Sequence, residues 1–107
     1  MGYKIKHYEL YIENTWLGRI ILTSDGSFMS ITDYGNFCFH WGRTGVDDFR
    51  RFILGLDEDY FAGKMVQGMS YVSYGENIIE AANRFSKKIL PLLKEVIKIE
   101  IGNNIDF

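Results

Sequence analysis

Cys38 and His40 stand two residues apart in the stretch Phe37-Cys38-Phe39-His40-Trp41. On an extended strand that spacing places a thiol and an imidazole on one side. The two groups suggest metal ligation, or a cysteine nucleophile activated by a histidine base. A metal needs two further ligands, yet the only other histidine is His7 and Cys38 is the sole cysteine. A nucleophile pair needs an orienting third group and an oxyanion hole. The spacing supplies neither, so the stretch reads as a sheet face carrying one small apolar and one polar residue. No catalytic residue, no metal ligand and no cofactor is expected.

Acid is concentrated in Asp47, Asp48, Asp57, Glu58 and Asp59. Paired carboxylates serve hydrolases, and clustered ones hold hard cations. These lack the alternating oxygen ligands and fixed glycine of a calcium loop. Helix capping and compensation of the helix dipole account for most of them. A third use is an acidic patch that meets a basic surface on a partner. Trp16, in a turn region, is a candidate surface anchor, and Tyr71 and Tyr74 lie in a segment of exposed-loop character that suits a contact surface or, equally, a lid over the core. These five acids and three aromatic residues are the candidate partner-binding set. Lys87, Lys88, Lys94 and Lys98, with Arg84 nearby, mark a basic face on the last helix. A single-strand nucleic-acid site would interleave exposed aromatics there, but Phe85 belongs to the apolar stripe. Phosphate-binding glycine motifs are absent.

The elements that must position these residues fall into two runs. Lys4 to Ile12 alternates, with Tyr8, Leu10 and Ile12 on one face and His7, Glu9 and Tyr11 on the other. Leu17 to Ser24 is a second strand, and Asp25-Gly26 marks a hairpin. Ser27 to Asp33 is a third strand. Gly35-Asn36 turns the chain into a fourth, Phe37 to Trp41, whose Phe37, Phe39 and Trp41 should face the core. Helical spacing follows. Thr44 and Asp47 suggest a capping box before Phe49, Phe52, Ile53 and Leu56. Asp57 caps a short second helix ending near Gly68. Ser73 and Glu76 suggest a capping box for a third, with Ile78, Ala82, Phe85, Ile89, Leu92 and Val96 as its stripe and a kink at Pro91. The expected fold class is α+β: a four-stranded antiparallel β-meander followed by three helices packed on one face, in one domain over 1–107.

Composition limits the function classes. The chain has 107 residues, formal net charge −2, and 16% aromatic residues. The charge argues against a duplex nucleic-acid binder, which normally carries a basic face. Aromatics are used in cores and at protein interfaces. One cysteine fits a reducing compartment. No apolar run approaches the ~20 residues of a membrane helix, so no membrane partner is expected. Four strands leave two edges, either of which could pair with a second copy or with a partner.

Asp25-Gly26-Ser27-Phe28, Thr32-Asp33-Tyr34-Gly35-Asn36, Trp41, Phe49, Phe52, Asp59-Tyr60-Phe61 and Lys64 together resemble a group of small, mostly uncharacterised proteins encoded by bacteriophages and prophages. The resemblance covers residues 15 to 65 best, and the turn motif with its downstream Trp is its most distinctive part. It implies a phage origin and a host bacterial cytoplasmic setting. By context it also implies an anti-defence role such as anti-CRISPR. The expectation is a non-enzymatic inhibitor that binds a host defence protein, with a CRISPR effector nuclease as the favoured case. The alternative is a phage accessory module that binds nucleic acid or a small ligand through the last helix or the exposed sheet face.

Overall fold

The computed structural model describes residues 2–107. Chain order is β1 (Ile5–Ile12), β2 (Thr15–Thr23), β3 (Ser27–Thr32), β4 (Asn36–His40), α1 (Phe49–Leu54), α2 (Glu58–Gln67), β5 (Met69–Tyr71) and α3 (Ile78–Gly102). The strands form one antiparallel sheet in the order β1-β2-β3-β4-β5. Tight turns set this meander. Gly26 sits at φ +104°, and a Cβ there would overlap the Trp41 carbonyl oxygen. That carbonyl is held close because Trp41 N–H donates to the Gly26 carbonyl at 2.8 Å. Only glycine meets both demands.

The expectation of four strands is corrected to five. Gly68 ends α2 as the sequence predicts, but the chain then returns directly along β4. Cys38 opposes Met69, Phe37 opposes Ser70 and Asn36 opposes Tyr71. A Cβ on Gly68 would overlap the Cys38 carbonyl oxygen, so the backbones meet where a side chain cannot fit. Tyr71 therefore belongs to an edge strand, not a loop, while Tyr74 lies in the exposed turn beyond it. Trp16 likewise sits at the start of β2, not in the turn before it.

Two helix starts also move. Asp48, not Thr44, caps α1: its carboxylate accepts from Arg50 N–H at 2.9 Å, while Thr44 Oγ1 bonds only Val46 within its own loop. Asn77, not Ser73, caps α3 by accepting from Ile79 and Glu80 N–H. Ser73 and Glu76 instead close a turn, and Glu76 pairs with Arg84. Asp57 caps α2 as predicted, accepting from Tyr60 N–H at 2.8 Å. α3 runs on through Pro91. Pro91 and Lys87, whose carbonyl loses its helix donor, are both exposed, so water can replace the missing bond.

The helices cover one face of the sheet. Phe28 of β3 meets Phe61 of α2 edge-on at 5.1 Å, and Phe37 of β4 meets Phe85 of α3 at 4.6 Å. Trp41 closes one end against Phe39, Phe49, Phe52 and Phe61. Phe37 and Trp41 are buried as expected, and Phe39 is half-buried. The buried stripe of α3 comprises Ala81, Ala82, Phe85, Ser86, Ile89, Leu90, Leu93 and Ile97. Leu92 and Val96 lie at its margin, half-buried.

Candidate functional site

The register of the sheet places His7, Ile21, Met29, Cys38 and Met69 side by side in one row across all five strands. The next row runs Glu9, Arg19, Ile31. Alternation turns both rows away from Ile20, Leu22, Phe28 and Phe37, which face the helices. The rows thus lie on the outer face. Ile21, Met29 and Cys38 are half-buried among their strand neighbours, but Ile31 is 53% exposed, Met69 77% and Tyr71 73%. Two shallow apolar hollows share Met29 as a wall. One, of about 270 Å³, lies between Met29, Cys38, Met69 and Tyr71; the other, of about 180 Å³, lies between Arg19, Ile21, Met29 and Ile31.

The β1–β2 end of this face is polar. Glu9 accepts from Arg19 Nε at 2.6 Å and from Trp16 Nε1 at 2.7 Å, and it also contacts His7 Nε2. The hydrogen bond from Arg19, then those from Trp16 and His7, hold its carboxyl well below the usual range, at about 2. The indole of Trp16 is fixed by this bond and half-buried, so it borders the face as a preset aromatic wall.

Cys38 and His40 do share this face. Cys38 lies between Met29 and Met69, while His40 opposes Ser27 and exchanges a hydrogen bond of 2.8 Å with its hydroxyl. They therefore have separate neighbours. Among the described residues, no group of three His, Cys, Asp or Glu side chains is placed to hold a metal ion.

The acidic candidates lie elsewhere, at the starts of α1 and α2. Asp48 and Asp57 are the caps of those helices, and Glu58 and Asp59 occupy the first turn of α2. Asp48 has a second task. Buried Arg50 reaches Asp48 through Nη2 at 2.7 Å, Glu100 through Nη1 at 3.1 Å and the Ile105 carbonyl at 2.9 Å. Hydrogen bonding to Arg50 pulls the Asp48 carboxyl down, and the same bond pushes the guanidinium up. Glu100 also accepts from the Tyr8 hydroxyl at 2.7 Å, and burial, then this bond, raise that phenol. This clamp ties β1, α1 and the C-terminal tail together. Asp47, Glu58 and Asp59 remain exposed at the surface. On α3, Arg84 pairs with Glu76, and Lys94 bonds the Leu56 carbonyl, so two of the five cations serve the fold.

Of the eight candidate partner-binding residues, the outer face gathers Trp16 and Tyr71. Sequence reasoning missed Ile21, Met29, Ile31 and Met69. The signal was present in Ile20-Ile21-Leu22 and Phe28-Met29, where apolar residues run consecutively and both faces of a strand are apolar.

A sequence model of a phage protein family, Phage_phiTE_072, matches residues 3–89. The chain belongs to this phage family. The matched stretch contains all five strands, α1, α2 and the first half of α3, so the family's common region includes the whole outer face. No curated protein matches the chain, and no solved structure does. Among the described residues of this phage protein, no helix is long and apolar enough to cross a membrane.

Proposed function

We propose that this phage protein is a non-enzymatic inhibitor that docks on a host defence protein in the bacterial cytoplasm, with a CRISPR effector nuclease as the favoured target class. The observation that carries the docking is the uncovered apolar row Ile21, Met29, Cys38 and Met69, flanked by Ile31 and Tyr71. No helix packs over this row, and contiguous exposed apolar surface is a common mark of an interaction site. Methionines suit it because they repack against a new surface, and Tyr71 and Trp16 add aromatic area at low entropic cost. Phage family membership supports a host target. The exposed acids Asp47, Glu58 and Asp59 lie in the helical layer and would act by steering the approach to a basic nuclease.

The test is co-purification with, and inhibition of, purified CRISPR effector nucleases. Met29→Lys with Met69→Lys should abolish binding, while Glu58→Lys with Asp59→Lys should slow association and leave most of the affinity. An unaffected nuclease at saturating protein sinks the target class. Binding that survives the two methionine changes sinks the docking face.

A further inference from the structure

Strand β1 forms one edge of the sheet along its full eight residues. The irregularity in its pairing falls on the neighbouring strand. Leu10 opposes Gly18 and Tyr11 opposes Trp16, which leaves Leu17 of β2 as the extra residue. The edge strand itself is therefore regular. Large apolar side chains cluster on and beside it, with Tyr3, Ile5, Tyr11 and Ile12 all exposed. Edge strands of soluble proteins often carry lysines that discourage pairing. Lys6 is turned away from that task, since its ammonium pairs with Glu100 of α3 at 3.4 Å.

We propose that β1 pairs antiparallel with β1 of a second copy, around a twofold axis at Tyr8, to make one continuous ten-stranded sheet. The sequence of the strand selects this register. With Tyr8 opposite Tyr8 of the second copy, His7 of each copy opposes Glu9 of the other, and Ile5 opposes Tyr11. All four residues lie on the outer face of their own sheet, so the faces stay in phase. Moving the axis to Glu9 sets two like carboxylates against each other, and moving it to His7 sets Ile5 against Glu9. Of the three, the Tyr8 register alone gives two imidazole–carboxylate pairs and two apolar pairs at once. Such a contact is isologous and closed, so it stops at two copies. The inference is independent of the host target. The dimer joins two outer faces edge to edge and leaves both uncovered.

The experiment is sedimentation analysis of the full chain, together with register-specific cross-linking. At about 100 µM, above the micromolar Kd expected of a small interface, the protein should sediment as a dimer. Ile5→Lys with Tyr11→Lys should weaken it at least about tenfold, because lysines then face each other across the axis. Mixing that variant with Ile5→Glu plus Tyr11→Glu should restore a mixed dimer. Separately, Ile5→Cys mixed with Tyr11→Cys should form a disulfide between copies, since directly opposed Cβ atoms lie about 4.5–5.5 Å apart. The unaltered chain, with Cys38 on β4, should not cross-link. A monomer at every concentration overturns the proposal. So does a dimer indifferent to the lysine pair, or a mixture of the Ile5→Cys and Tyr11→Cys variants that fails to cross-link.

Discussion

On the inner face of the sheet, Phe28 and Phe37 meet the rings of Phe61 and Phe85 and are sealed from water. One residue along the same strands, Met29 and Cys38 face outward with no helix over them, beside a Met69 that is 77% exposed. Both faces are apolar, but the chemistry differs. The inner face is keyed by rings of fixed shape meeting edge to face or tilted, which specify one packing. The outer ones are mostly aliphatic and thioether chains with many rotamers, which specify none and can adapt to a visiting surface. The same contrast divides the two ionic clusters on β1. Arg50, Asp48, Glu100 and Tyr8 lock the inner side, whereas His7, Glu9, Arg19 and Trp16 decorate the outer side and are partly in water.

The contrast is broken most severely by deleting an inner ring. Phe85 touches Phe28, Phe37 and Phe61 and has no exposure. Phe85→Ala should cost about 4 kcal/mol in urea-induced unfolding, from lost burial plus the cavity left behind. Next comes the clamp. Arg50 is 3% exposed, and Arg50→Ala takes the guanidinium from Asp48, Glu100 and the Ile105 carbonyl, leaving Asp48 only the Arg50 backbone N–H and Glu100 the Tyr8 hydroxyl and Lys6. The expected loss is about 3 kcal/mol by the same measurement. Arg50→Lys should recover only part of it, because an ammonium cannot span three acceptors as the planar fork does.

Acid should distinguish the two ionic clusters. Asp48 and Glu9 both titrate lower in the folded chain than in the unfolded one. Each therefore contributes stability that is complete above the ordinary carboxylate range, near 4.5 for Glu9, and is lost as pH falls toward the folded value, about 2 for Glu9. Melting temperature measured from pH 7 down to about 2 should drop through this window. Asp48→Asn should flatten the drop more than Glu9→Gln, since the Asp48 pair is the more buried and less screened by solvent. Equal flattening would mean that the outer cluster is as structural as the inner one.

How much of this could be read from residues alone follows from what each signal encodes. Alternation in β1 to β4 and the Asp25-Gly26 turn are local, and they predict four strands in the right places. β5 has three residues and joins the sheet by pairing with β4, so no local pattern announces it. Thr44 and Ser73 look like caps, but a cap works only where the following backbone is already helical. Asp48 and Asn77 are the residues at which that condition is met. The binding candidates divide by the same logic. Asp48 and Asp57 cap helices, a local property that acidic residues before an apolar helical stripe already suggest. The outer row joins residues from five strands through pairing alone, and pairing is a tertiary fact.

The smallest expected effect is the most discriminating. Met69→Ser removes an exposed thioether from an edge strand whose backbone pairing with Cys38 needs no particular side chain. If the outer face does not contribute to the fold, unfolding free energy should change by less than about 0.5 kcal/mol. The same substitution opens the larger hollow beside Cys38 and removes the most exposed apolar member of the row. A residue kept for a partner should cost much in binding and almost nothing in stability. A loss above about 1 kcal/mol in urea would instead make Met69 part of the packing that holds β5 to β4, and the two faces would differ in degree and not in purpose.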